Sequence, residues 1–304
     1  MDVTDLIDLK AYPIHDIEAH AAQALVEKCR SDLDQRALCT LEDFCPPLAV
    51  NAMAAEIERS MTVAYRAVHL RTPYSWRYNL DYPDGHPRRA LHLNRYRYLL
   101  YDQFGKKSLI SRLYEWPPLT EFVRRVLGFE CLYPTADPYL SVVVNIMGAD
   151  DELAWHFDTN DGVVSLMLQV ADEGGHFEYA PYIRDEVDEN YPGVQDLFEG
   201  RSPLADQPPI NPGTFVLFKG RRSCHRVTPI GETDRPRVNI LYSYDERPGM
   251  VFSEASQQEK TQPSSGANIG LRSPENSSSR IGLQRSQTRV GEALLIRSAG
   301  LSWP

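Results

Sequence analysis

Apolar residues recur at helical spacing over residues 16–30, through Ile17, Ala21, Ala24 and Leu25. They do so again after Pro46-Pro47, through Met53, Ile57 and Met61. Such spacing lays an apolar stripe along one side of a helix, and proline in a first turn forfeits no helical hydrogen bond, so both stretches are predicted helices. Between them residues 37–41 read as a strand and turn, and a further helix is predicted around residues 118–127. From residue 138 the texture changes to short apolar runs (140–147, 163–170, 214–218 and 238–242) separated by Gly-, Asp- and Pro-rich turns. That is the pattern of an antiparallel sandwich or barrel. A polar stretch, 182–212, interrupts the runs; its cluster Asp185, Glu186, Asp188 and Glu189 predicts a solvated loop with one helical turn.

Helices followed by a strand-rich unit predict an α+β chain in three zones: an N-terminal helical and lid region over 1–137, a β core over 138–252, and a tail over 253–304. Within the first zone, residues 74–104 concentrate Tyr, Trp and Arg and suggest a lid. The tail holds 11 Ser and 5 Gln, with Trp303 its only aromatic residue, so it has little apolar surface to offset the entropy of ordering and is expected to be mostly disordered. The chain's 304 residues suffice for a buried core, and a net charge of −10 disfavours nucleic acid as a partner, since phosphate binding needs clustered cations. The opening residues lack a basic and apolar leader, and no run approaches the ~20 apolar residues of a membrane span. A cytoplasmic protein without a membrane partner is therefore expected. Five scattered cysteines without a CxxC pair make a disulfide framework or a thiolate metal site unexpected.

The chemistry concentrates in Trp155-His156-Phe157-Asp158. Residues two apart on a strand share a face, so His156 and Asp158 present an imidazole and a carboxylate together. His225, in a second strand-like run, can supply a third donor. Two imidazoles and one carboxylate occupy one face of an octahedral ion and leave three positions for a bidentate organic acid and oxygen, the arrangement of non-haem iron. Arg235 follows ten residues after His225, and Arg237 two later. A guanidinium near such an ion pairs bidentately with a distal carboxylate. Spacing favours Arg235, with Arg237 as the alternate. For a substrate carboxylate the first candidate is Arg95 and the second Arg77, unless both are solvated or paired with acidic surface groups. Ile240 and Tyr242 on the last core run are candidates for a side-chain pocket and equally for core packing.

Several segments resemble the Fe(II)/2-oxoglutarate-dependent dioxygenases: Val144-Asn145-Ile146-Met147-Gly148 with the WHFD motif, Gly174-Gly175-His176-Phe177-Glu178, residues 211–218, and His225-Arg226-Val227-Thr228-Pro229 with Arg235-Pro236-Arg237. The resemblance implies a double-stranded β-helix, or jelly roll, with N-terminal helices packed on it. It implies Fe(2+) held by His156, Asp158 and His225, 2-oxoglutarate and O2 as cosubstrates, Arg235 on the distal carboxylate, and Asn145 in contact with the cosubstrate. Met147 stands where members often have Tyr, so that contact is not carried over. Asp151-Glu152-Leu153 before WHFD, then GGHFEY, DENY and SYDERPG, are similar to small dioxygenases acting on free amino acids: hydroxylases, oxidative cyclases and free-lysine halogenases. The halogenases replace the metal carboxylate with a small residue. Asp158 is present, so the resemblance implies hydroxylation or oxidative cyclisation of a small amino-acid-like substrate, in a biosynthetic pathway. The alternatives are a hydroxylase of peptidyl residues and a cupin-like metal-binding module without turnover. Oligomeric state is left open.

Overall fold

A computed structural model describes residues 1–74, 81–105 and 107–262. The N-terminal region supplies α1 (His20–Arg36), β1 (Leu38–Leu41), α2 (Pro47–Ser60), β2 (Tyr65–Arg71), β3 (His92–Leu100), α3 (Tyr101–Phe104), α4 (Leu109–Tyr114) and α5 (Pro117–Leu127). The core follows with β4 (Tyr133–Pro134), β5 (Val142–Met147), β6 (Leu153–His156), β7 (Val163–Gln169), β8 (Phe177–Ala180), α6 (Tyr191–Phe198), β9 (Phe215–Phe218), β10 (Cys224–Val227), β11 (Arg237–Tyr242) and β12 (Tyr244–Asp245). A last helix, α7, spans Glu254–Thr261.

The helices begin and end where local chemistry requires. α1 stops at Ala37, which turns left-handed (φ 59°) and returns its N–H to the Leu33 carbonyl. α5 opens on two prolines, carries Arg124 and Arg125 in its last turn and ends at Gly128 (φ 77°). Its buried Leu119, Phe122, Val123 and Val126 form the i, i+3, i+4, i+7 stripe that docks it on the core.

Two antiparallel sheets form the jelly roll. The larger runs β1-β9-β7-β11-β5-β3-β2, and the smaller β6-β10-β8; β4 and β12 form a separate two-stranded ribbon. Alternation divides the larger sheet into two faces. Val142, Val144 and Ile146 of β5, Leu166 of β7, Phe215 and Leu217 of β9, and Val238, Ile240 and Tyr242 of β11 bury themselves with apolar residues of α1, α2 and α5. The opposite face, with Tyr96 and Tyr98 of β3, Asn145 of β5 and Arg237 and Asn239 of β11, forms the inside of the roll.

Three features differ from expectation. The Arg- and Tyr-rich stretch is built into the sheet: β2 and β3 extend the larger sheet, and β1 closes its other edge, so the first zone contributes three of its seven strands. The 182–212 stretch holds the two-turn α6, and the tail begins with an ordered α7; residues 263–304 lie outside the described residues. Among the described residues no helix is long and apolar enough to cross a membrane. All five cysteines are free.

Candidate metal centre

His156 ends β6 and pairs across the small sheet with His225 of β10, which pairs in turn with Tyr179 of β8. This register sets the imidazoles side by side, their ring centroids 4.1 Å apart. The chain leaves β6 after His156, and the Asp158 N–H donates to the Gly220 carbonyl at 3.1 Å. The carboxylate is thereby brought back to the imidazoles, with Oδ2 3.2 Å from His225 Nε2 and Oδ1 3.9 Å from His156 Nε2. One donor atom from each residue lies within 4.8 Å of the others.

The ring orientations suit metal binding. His156 Nδ1 lies 2.8 Å from the Ala154 carbonyl, and His225 Nδ1 lies 3.1 Å from that of Ser223. Donating Nδ1–H to a carbonyl leaves Nε2 of each ring with a lone pair aimed at the common centre. Burial lowers the His156 pKa well below the usual histidine range, with His225 and Arg71 adding to the effect, so the ring is neutral as a ligand must be. For Asp158, burial alone would raise the pKa; His225, His156 and Arg71 outweigh it and hold the carboxyl at about 2. Asp158 Oδ2 is also buried without a hydrogen-bond partner. Two imidazoles and a carboxylate with an unsatisfied oxygen fit a divalent ion.

Gly220 makes room for this arrangement. A Cβ there would stand 2.0 Å from Asp158 Oδ2. Phe218 packs edge-on against the His225 ring at 4.8 Å. On the outer face Arg226 lies over Trp155 and pairs with Glu178, while Cys224 is buried in a separate apolar cluster. His176 is exposed.

On the inner face of the larger sheet, Arg237 begins β11 opposite Met147 and is only 4% exposed. Its side chain makes no hydrogen bond or ion pair among the described residues; Nε is buried without a partner, and burial pushes its pKa down to about 10. Asn145 and Asn239 face each other across β5 and β11 on the same side of the sheet. Gly175 (φ +67°) lets the guanidinium stem pass, since a Cβ there would meet Ile230 at 2.4 Å and the Arg237 Cδ at 3.2 Å.

Other expected residues stand elsewhere. Arg235, which spacing favoured, lies in the turn before β11, its side chain 63% exposed and paired with Asp172 at 2.6 Å. Arg95 shares the face of β3 with Arg97 and Leu99, turned from the roll's interior, and lies 3.4 Å from Glu152. Ile240 and Tyr242 lie in the helix-covered core, Tyr242 stacked on Tyr114 at 5.5 Å, and do not line the roll's interior. Arg77 lies outside the described residues. Sequence reasoning passed over Arg71, which is 6% exposed at the end of β2. The Pro73 carbonyl two residues on accepts from Phe157 N–H at 2.8 Å, which brings this strand end beside the metal ligands. Its signal was parity with Tyr65, Ala67 and His69.

Fold and donor set are those of the non-haem iron oxygenases, the class that uses Fe(II), 2-oxoglutarate and O2. Within it, the chain belongs to the Halogenase D (HalD) family, which matches residues 21–261. No curated protein matches the sequence. Among solved structures, the chain is similar to the non-heme alpha-ketoglutarate-dependent epimerase SnoN from nogalamycin biosynthesis. Identity is 16%, with 74% of this chain and 84% of SnoN covered and a TM-score of 0.50. A SnoN complex with Fe3+, alpha-ketoglutarate and nogalamycin RO matches at 15% identity, 81% and 93% coverage and a TM-score of 0.50. A Pseudomonas putida prolyl-4-hydroxylase matches at 14% identity, 73% and 100% coverage and a TM-score of 0.47.

Proposed function

We propose that this protein hydroxylates, or oxidatively cyclises, a small amino-acid-like molecule in a biosynthetic pathway, and that it does not halogenate. The observation that carries the reading is Asp158 as third donor. A halide bound to the iron needs a vacated donor position, and the Asp158 carboxylate fills it. Gly220, whose lack of a side chain leaves room for that carboxylate, supports the same assignment. The chain thus belongs to a family named for halogenation while its metal centre carries the donor of a hydroxylase.

Arg237 is assigned to the distal carboxylate of 2-oxoglutarate. A buried guanidinium without a partner costs several kcal/mol, and a bidentate carboxylate offsets that cost. Asn145 and Asn239 supply amide groups beside it. Iron and 2-oxoglutarate together supply an oxidant for an unactivated C–H bond. The protein orients the imidazoles through the Ala154 and Ser223 carbonyls, holds Asp158 ionised, and surrounds the centre with aromatic side chains that exclude water. An amino-acid-like substrate is supported by the GGHFEY, DENY and SYDERPG segments and their likeness to enzymes of free amino acids.

The test is incubation with Fe(II), 2-oxoglutarate, air and a panel of free amino acids with and without chloride. Succinate release is measured together with product mass. Gain of one oxygen or loss of two hydrogens is expected. Chlorinated product would overturn the reading, and absence of succinate throughout would leave a metal-binding module.

A further inference from the structure

The turn between β8 and α6, residues 181–190, lies against both segments that carry the metal ligands. Its backbone is tied to the turn before β10: the Arg184 N–H donates to the Arg222 carbonyl at 3.3 Å, and the Tyr182 N–H to Ser223 Oγ at 3.1 Å. Ser223 is the residue whose carbonyl orients His225. The Arg184 side chain, 15% exposed, reaches further. Its Nε donates to the Arg221 carbonyl at 2.8 Å, and its Cζ stands 3.9 Å from the centre of the Phe157 ring. Phe157 separates His156 from Asp158 in the chain, and Arg221 follows Gly220, whose carbonyl holds the Asp158 N–H. One guanidinium therefore touches the segment bearing His156 and Asp158 and the segment leading to His225.

Glu189 fixes that guanidinium. Its Oε2 accepts from Arg184 Nη1 at 2.7 Å, and its Oε1 accepts from Arg88 Nη2 at 2.8 Å. Arg88 in turn donates from Nε to the Tyr191 hydroxyl at 2.7 Å and lies over the Tyr74 ring at 4.6 Å. Asn190, between Glu189 and Tyr191, takes a left-handed conformation (φ 46°), donates its amide to the Ile183 carbonyl at 2.9 Å and caps α6. Asp185, Glu186 and Asp188 are exposed, whereas Glu189 is half-buried between two arginines. The DENY segment thus acts as a brace: each of its last three residues closes or loads the turn that presents Arg184.

We propose that Arg184, fixed by Glu189, is a positioning residue for the metal centre. Its cation–π contact with Phe157 and its hydrogen bond to the Arg221 carbonyl clamp the two ligand-bearing segments at the separation that brings both imidazoles and the Asp158 carboxylate to one ion. A planar fork spans ring, carbonyl and carboxylate at once, whereas the ammonium of a lysine is a point charge that cannot. The proposal rests on His156, Asp158 and His225 as metal ligands. Arg222 Nε, which donates to Asp161 Oδ2 at 2.9 Å, joins the same two segments a second time. Replacing Arg184 therefore changes the spacing of the ligands without releasing either segment.

The test is calorimetric titration of the full metal-free chain with Mn(II), beside its thermal melt and the visible spectrum of the Co(II)-loaded form. Arg184→Met should weaken Mn(II) binding about 10–100-fold, the cost of losing support for metal ligands, and shift the Co(II) absorption. Arg184→Lys should bring the melting temperature back toward wild type yet leave Mn(II) binding about tenfold weaker or worse. Glu189→Gln, which leaves the guanidinium without its counter-charge, should weaken binding in the same direction but by less than Arg184→Met. Arg201→Met is the control, at an exposed arginine paired with Asp196, and should bind as wild type does. Wild-type affinity with an unshifted Co(II) spectrum in Arg184→Met, full affinity in Arg184→Lys, or an equal loss in Arg201→Met would each overturn the proposal while the metal centre stands. If Arg184→Met does not fold, Glu189→Gln decides by the same readings, and wild-type binding in it overturns the proposal. A wild-type chain that binds no Mn(II) would overturn the ligand assignment itself.

Discussion

Gly220→Ala adds one methyl group against the metal carboxylate and little else. The backbone at Gly220 is not in the left-handed region, so alanine brings no conformational penalty of its own. The new Cβ would lie 2.0 Å from Asp158 Oδ2, 2.8 Å from its Cγ and 3.0 Å from its Cβ, so Oδ2 must retreat by about 1.4 Å to reach an ordinary contact. The easiest motion is rotation of the Asp158 side chain, because the Asp158 N–H is tied to the Gly220 carbonyl and the two backbones move together. That rotation draws the oxygen from its place 3.2 Å from His225 Nε2. Overpacking of this kind costs about 1–3 kcal/mol in stability, whereas displaced support of a metal ligand costs about 10–100-fold in affinity. Calorimetric titration with Mn(II) or Co(II), beside a thermal melt of the metal-free protein, separates the two effects. Gly148→Ala is the control, since a Cβ there meets nothing within 4 Å. Wild-type metal affinity in Gly220→Ala, with the fold intact, would refute the steric argument.

Arg237→Met should raise the KM for 2-oxoglutarate by about two orders of magnitude, the loss of a buried bidentate ion pair, while Arg235→Ala should change it less than about twofold because an exposed pair contributes little. Succinate release measured against 2-oxoglutarate concentration checks both. Ile240→Val should lower stability by about 0.5–1.5 kcal/mol in urea unfolding and leave the choice of amino acid unaltered, as expected of a core position; a changed substrate preference would contradict it. His69 is held neutral, burial foremost lowering its pKa to about 3, with Lys260 and Arg71 assisting. The unfolded chain then binds the extra proton first, so the stability it contributes is present above about pH 6.5 and is lost as pH falls toward 3. His69→Gln should flatten that part of the urea-stability profile, and an unchanged slope would contradict the assignment.

The runs from Val142 to Tyr242 and the helices at Pro47 and Pro117 were legible because their apolar periods match their structures. The triad was legible because parity within one strand brings His156 and Asp158 together, and a second strand-like run supplies His225. β2 and β3 were not legible: arginines on one face and tyrosines on the other conceal the alternation of apolar with polar residues. The preference for Arg235 came from counting residues from His225. Arg235 belongs to a turn held by Asp172, where strand parity does not apply, while Arg237 is the first residue of β11. With Arg237 inward, the same alternation turns Ile240 and Tyr242 toward the helix-covered core, the packing reading that the sequence had left open beside a pocket. α7 carries no strong apolar stripe; its place depends on Asp137, Tyr96 and Tyr98, more than a hundred residues away in sequence.

The central claim is that His156, Asp158 and His225 hold one iron with 2-oxoglutarate beside it. Its most direct test is anaerobic titration of the protein with Fe(II) in the presence of 2-oxoglutarate, following the visible charge-transfer absorption of a keto acid chelated to iron. The account predicts an absorption that saturates at one iron per chain and disappears in His156→Ala and His225→Ala. An absorption that survives either substitution, or none in the wild-type protein, would contradict it.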